Sequence, residues 1–378
     1  MTRRIRLFSV VALAIVANLA GCAVKGTDRE EVVINGRKIT VLNTDALHYD
    51  TKDSVDPMND LSIGKIDKFT EMRGEDWIDN EHILITRENT KLEPIRVGDS
   101  MENLRGLYVY ETATASQKSL FDETDYIWMP LVSPDRKHIL VQSYKDGQNT
   151  GMIIDVDGNV VAENHDDNPE KGFHLSYDNA KWVDNEQVII PTSDQGICLM
   201  NTASNITYIP KIGVMQTDTA FATDKKIYYI STDNNLMVYD IATEKNRILK
   251  TDILNFELSP KRDMFAVVTK EKSDMSLLKL IDMNGEERAQ LAEGRMIFGM
   301  SWSPDQTKIA YLLSADKENE SGLYLRNLKG QDKVFVSADF MGVENGLKWN
   351  PAGNKLLASI GEVKDMKFFD NTYIISLN

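Results

Sequence analysis

The chain has 378 residues, of which 42% are hydrophobic, 27% charged and 8% aromatic, the composition of a folded globular protein and not of a disordered one. Its 43 Lys and Arg against 58 Asp and Glu give a formal charge of −15, which excludes a sequence-independent grip on nucleic acid, where basic residues must neutralise phosphates. The length suits two or three average domains or one large all-β domain, so internal pattern has to decide.

Met1 to Arg6 carries Arg3, Arg4 and Arg6, Leu7 to Ala20 is almost wholly apolar, and the run closes on Leu19-Ala20-Gly21-Cys22. That is a basic region, an apolar region too short to cross a bilayer comfortably as a helix, and a small-residue processing site. The box resembles that of bacterial lipoproteins, which implies cleavage before Cys22 and lipid on that residue. The alternative is an ordinary secretory signal in which the cysteine is accidental. By the same resemblance, Ala23 in place of Asp favours the outer membrane, facing the periplasm, in a Gram-negative host; in a Gram-positive host the lipid would hold the protein on the outer face of the cell membrane. Cleavage removes three positive charges and no acids, taking −15 to −18. A body so acidic is repelled by anionic headgroups, so the lipid is the expected anchor. The other cysteine, Cys198, lies in the apolar run Gly196 to Met200 and reads as a buried structural thiol.

Beyond the leader, Val32 to Val41 reads as two strands around the Asn35-Gly36 turn, followed by a polar, acidic connector from Asn43 to Ile63. From Trp77 onward the chain repeats: an apolar or Trp-bearing strand, a tight polar turn, and a strand rich in Ile, Leu, Val and Tyr. The seven copies begin at Trp77, Val132, Trp182, Phe221, Leu258, Trp302 and Trp349. Anchored at turn residues 79, 135, 184, 224, 261, 305 and 352, they are spaced by 37 to 56 residues, around the 40 to 45 of a four-stranded propeller blade. In Ser-Pro-Asp, Pro sets φ for a type I turn while Ser and Asp bond nearby amides. Trp77, Trp182, Trp302 and Trp349 stand just before their anchors, where a large ring can fill the wedge between adjacent sheets, a ligand platform being the rival use. Second hairpins follow, as in Gly106 to Thr112, Met152 to Gly158 and Gly322 to Gly330.

The turn in Trp302-Ser303-Pro304-Asp305 to Ile309, and more loosely its other copies, resembles that of the TolB-like and Trp-Asp (WD40-like) propellers over about 300 residues. The resemblance implies an all-β fold, a β-propeller of seven four-stranded blades, with six or eight as alternatives. Its last blade ends on its third strand, at Tyr373 to Asn378, and an unpaired edge there would invite association. An N-terminal strand, expected from one arm of Val32 to Val41, would close it. The expected organisation is a signal peptide at 1–21, a lipidated and connecting segment at 22–64, and a propeller at 65–378.

No serine-elbow, zinc-helix or phosphate-cradling glycine motif occurs, and the five histidines are scattered. His82 and His138 occupy equivalent repeat positions. Asp155 and Asp157, in a sequence like half a calcium loop without its distal Glu, and Asp166 and Asp167, in a long connection, are the weak metal candidates. Loops on a rigid scaffold carry function more often than the scaffold does, and the longest, from Arg87 to Arg105, offers Lys91, Glu93 and Arg96 to a protein partner. The expectation is therefore a lipid-anchored envelope propeller that acts as an interaction or assembly module, without a cofactor and not as an enzyme. The alternative is an envelope enzyme or ligand sensor using the central channel with a metal.

Cys22→Ser should move the protein from the membrane pellet to the soluble envelope fraction, because acyl chains hold a protein where an acidic surface does not. Retention of the variant in carbonate-washed membranes would contradict the lipid anchor.

Overall fold

The computed structural model describes residues 29–34, 37–42 and 61–378, apart from 89–92, 98–99, 122–125, 146–147, 166–174, 176–178, 193–195, 211, 214, 224, 271–274, 331, 345 and 365–366. The chain divides into two compact units, 1–52 and 53–378. In the first, Arg29–Ile34 pairs antiparallel with Arg37–Leu42, and Ile34 stands opposite Arg37 as a two-residue connection requires. Cys22 lies outside the described residues.

The second unit is a ring of seven antiparallel blades, each of four strands, numbered here in chain order and read from the inner strand outward. Blade 1 comprises Arg73–Trp77, His82–Glu88, Arg105–Glu111 and Gln117–Ser119, and blade 2 Tyr126–Val132, His138–Lys145, Gln148–Asp155 and Val160–His165. Blade 3 comprises Lys181–Trp182, Gln187–Pro191, Ile197–Asn201 and Ile206–Ile209, and blade 4 Met215–Ala222, Lys226–Ser231, Leu236–Asp240 and Lys245–Lys250. Blade 5 is Ile253–Leu258, Met264–Lys270, Ser276–Asp282 and Glu287–Gly294; blade 6 is Met296–Trp302, Lys308–Ser314, Gly322–Asn327 and Lys333–Ser337. Blade 7 takes Lys348–Trp349, Lys355–Lys364 and Lys367–Leu377 from the C-terminal end and its outermost strand, Ile63–Thr70, from the N-terminal side. The second and third strands carry the apolar runs, and the cores lie between neighbouring blades, Cys198 among them, while outer strands such as Lys245–Lys250 are mostly exposed.

An N-terminal strand closes the ring, as expected, but it is Ile63–Thr70, with Ile66 opposite Ile375, and not an arm of Val32 to Val41. Its apolar residues, Ile63, Ile66 and Phe69, recur every three positions. A register shift between Ile63 and Lys65 breaks the alternation by which a strand is read.

The turns after the inner strands follow from their residues. In blades 2, 5, 6 and 7 the amides of Arg136, Arg262, Gln306 and Gly353 bond the carbonyls of Ser133, Ser259, Ser303 and Asn350, three residues back. The Ser or Asn side chain accepts the amide that opens the next strand, as from Lys308 N to Ser303 Oγ at 2.8 Å. Ser303 Oγ in turn donates to Asp305, holding that carboxyl down at about 2 despite opposing burial. Arg136, Arg262 and Gln306 have φ of 65°, 59° and 61°, the left-handed region that Gly353 occupies in blade 7. A side chain there costs on the order of 1 kcal/mol, and each of the three uses its side chain to reach the preceding blade.

Those reaches form a pattern. Opposite the second residue of each second strand stand Trp77, Val132, Trp182, Ala222, Leu258, Trp302 and Trp349, the wedge position of each blade. Blade 4 puts Ala222 there, one residue beyond the Phe221 that the repeat suggests. Each tryptophan donates its indole N–H to the inner-strand carbonyl of the preceding blade: Trp77 to Lys348, Trp182 to Leu131, Trp302 to Glu257 and Trp349 to Ser301, at 2.8 to 3.4 Å. The tryptophans are therefore wedges and stitches. Blades 2 and 5, which lack Trp at the wedge, send the turn arginine instead: Arg136 Nη1 to Trp77 O at 2.7 Å, and Arg262 Nη1 to Ala222 O at 3.0 Å. Among the described residues only the seam between blades 3 and 4 has no such donor.

The closing seam between blades 7 and 1 is polar. Gly74 N donates to Ser359 Oγ and Thr372 Oγ1 at 2.9 and 2.7 Å, and a Cβ at Gly74 would come within 2.8 Å of the Thr372 methyl, so glycine is required by the close approach. Arg105 bridges Glu88 at 3.1 Å and the buried Asp370 at 2.6 Å.

Trp302→Phe, which keeps a ring and removes the donor, should cost about 1 kcal/mol in urea unfolding with an unchanged slope. Unaltered stability would mean that the indole acts by volume alone.

Candidate functional site

The residue before each wedge lies on the opposite face of its sheet: Asp76, Leu131, Lys181, Phe221, Glu257, Ser301 and Lys348. Asp76 is taken by Arg136 at 2.8 Å. Lys181, Glu257 and Lys348, from alternate blades, are half-buried and feel one another's charge. Burial pushes the Lys181 ammonium to lower proton affinity and the Glu257 carboxyl to higher, and the opposite charges only partly offset this. The Lys181 Nζ lies 5.5 Å from the centre of the Phe221 ring, in reach of a cation–π contact.

On the face formed by the turns after the inner strands, blades 2 to 5 line an open cavity of about 950 Å³. It lies where the wedge positions hold Ala222 and Leu258 in place of tryptophan. Its apolar wall includes Trp182, Phe221, Tyr228, Leu258 and Met283. Phe221 is fixed edge-on against Phe256 at 5.1 Å, and Tyr228 against Phe265 at 5.0 Å, so the wall is rigid. Its charged residues are Lys225, Lys226, Arg262 and Asp184, of which Asp184 is committed to the backbone amides of Glu186 and Gln187. A net cationic mouth thus stands on a chain of formal charge −15.

The residues singled out in the sequence are dispersed by the fold. Lys91, Asp166 and Asp167 lie outside the described residues. Glu93 is exposed, and Arg96 sits opposite Met101 in a small hairpin, Ile95–Val97 with Ser100–Glu102, inserted between the second and third strands of blade 1. Asp155 closes a hairpin turn: its carboxylate accepts from the amides of Asp157 and Asn159 and from the Asn159 side chain at 2.8 to 2.9 Å, which holds its pKa low. Asp157 pairs at the surface with Lys118 at 2.7 Å. Among the described residues no three metal-ligating side chains converge. His82 bonds the Asp79 carboxylate and His138 stacks on Trp182, as repeat positions should.

What sequence reading misses is the charged triangle of Lys181, Glu257 and Lys348. The signal was available: each of the three immediately precedes a wedge residue.

No protein-family model matches the chain, and no curated sequence matches it. Among solved structures, an oligogalacturonate lyase from Vibrio parahaemolyticus is similar at a TM-score of 0.59 and 10% identity, over 84% of this chain and 98% of that one. An uncharacterized protein from Listeria monocytogenes follows at 0.56 and 13%, over 79% and 92%. The Swd1 β-propeller domain from Myceliophteria thermophila gives 0.54 and 11%, over 84% and 100%. The lyase corrects the expectation that this chain is not an enzyme: a propeller can draw functional groups from separate blades, so the lack of a contiguous catalytic motif excludes nothing. At these identities the likeness is one of fold, and it agrees with the strand order in making this chain a seven-bladed β-propeller.

Proposed function

We propose that this chain is a lipid-tethered propeller of the cell envelope that binds a partner segment, carrying both apolar and acidic side chains, in the cavity across blades 2 to 5. The observation that supports this most is the sign of the cavity: its walls are aromatic and aliphatic, and its charges, Lys225, Lys226 and Arg262 against Asp184, are net cationic on an otherwise acidic chain. Rigid aromatic walls let a ligand bury apolar area without ordering the site, and the cationic rim raises the rate of encounter with an acidic partner. The tether on Cys22 would keep the body at the membrane, where such a partner could be captured. A catalytic use of the same cavity is the second reading, favoured by Lys181, whose lowered proton affinity beside an apolar cavity suits a group that exchanges protons.

Leu258→Trp tests the site, because it places in the cavity the residue that four other blades carry at the same register position. The variant should fold with an unchanged circular-dichroism spectrum and recover at least tenfold less, by the ~1.4 kcal/mol scale of one decade, of the partner captured from membranes by the parent. Arg96→Glu should recover the partner normally. The opposite pattern would move the site to the blade 1 hairpin.

A further inference from the structure

The tryptophan stitches share one register. Each acceptor carbonyl belongs to the residue just before the wedge of the preceding blade: Lys348 before Trp349, Leu131 before Val132, Glu257 before Leu258 and Ser301 before Trp302. By that rule a tryptophan at the blade 5 wedge would donate to the carbonyl of Phe221, which stands opposite Tyr228 as Ser301 stands opposite Ala310. Blade 5 has Leu258 at the wedge, and its Arg262 bonds the next carbonyl along, Ala222 O. Among the described residues no side chain donates to Phe221 O, so the ring and the donor found at this register in four other blades are both missing here. Phe221, Leu258 and Arg262 all line the cavity, which therefore abuts the wedge that lacks its indole.

The rest of the wall suits such a ring. Tyr228 and Met283 border the same space, and an indole packs well against an aromatic edge and a polarisable thioether. Lys225 and Lys226 also line the cavity, and the negative face of an aromatic ring attracts cations, tryptophan most strongly. Acidic residues beside that ring would meet the same charges. An aliphatic side chain or a phenylalanine has no N–H to offer the Phe221 carbonyl.

We infer that the cavity is a socket for a tryptophan side chain of a partner protein, which completes the blade 5 wedge from outside, donates its indole N–H to Phe221 O and has acidic residues next to it in sequence. This deepens the proposed binding function by naming the partner's anchor, and it rests on that reading. Tryptophan in a desolvated pocket is among the commonest energetic anchors of protein interfaces.

The test titrates N-acetyltryptophanamide, its indole N-methyl derivative and N-acetylphenylalaninamide into the full chain. It follows the Met283 methyl by methionine-methyl NMR, with Met283→Leu to assign the signal. The tryptophan probe should shift that signal saturably through its ring current, and the other two should need at least about fivefold higher concentrations, the loss of one hydrogen bond. Acetyl-Asp-Trp-amide should saturate below acetyl-Lys-Trp-amide, by a margin that shrinks with added sodium chloride and in Lys226→Glu. Leu258→Trp should abolish the shift by filling the socket from within; if that variant fails to fold, the order of the three probes on the parent still decides. Equal saturation by all three, or a Met283 signal that none of them moves, would overturn the socket. Loss of partner capture in Leu258→Trp without tryptophan binding to the parent would overturn the socket and leave the binding reading standing. A saturable Met283 shift with undiminished capture by Leu258→Trp would do the reverse.

Discussion

Everything in this propeller depends on how each inner strand is held by the blade that follows it. A four-stranded sheet has a free inner edge, and seven such edges crowd around one channel with no further strand to pair with. The chain solves this with a single device placed by the repeat: a side chain at the end of the inner strand, or in the turn just after it, donates to a carbonyl on the preceding inner strand. Four blades use tryptophan, which also supplies the volume of the wedge. Two use arginine, accept a left-handed backbone to aim it, and leave a smaller wedge residue behind. The stitch is individually weak, of the order of 1 kcal/mol, but it recurs around the ring and fixes the angle between blades.

The candidate site follows from where that device lapses. Blade 4 has Ala222 at the wedge and no donor among the described residues; blade 5 has Leu258 and relies on Arg262, which itself borders the cavity. Aromatic mass is displaced one residue back, onto Phe221, which packs on Phe256 and opens the mouth instead of filling it. The same one-residue displacement puts Phe221 at the register position that Lys181 and Glu257 hold in blades 3 and 5.

The fold was legible because its signal is local and repeated. Pro fixing a turn, Ser closing it and Trp preceding it need no partner far along the chain, and seven copies pointed to the seven blades that the strand order shows. Closure was less legible, since Ile63–Thr70 lacks strand alternation and is specified only by its partner more than 300 residues away. The site was the least legible. Charged loops drew notice by composition, while Asp155, with its run of acids, proves to be a saturated turn. Lys181, Glu257 and Lys348 stand more than 75 residues apart in sequence, and only the closing of the ring brings them together.

Native-state hydrogen exchange tests the central claim most directly, because it reads the opening free energy of each inner and second strand separately. The account predicts that amides of residues 226–231 and 187–190, flanking the seam without a stitch, exchange by local opening faster than those of Lys308–Ser314 and Lys355–Lys364, which flank stitched seams. Uniform protection around the ring, or weakest protection at the seam between blades 6 and 7, would contradict it.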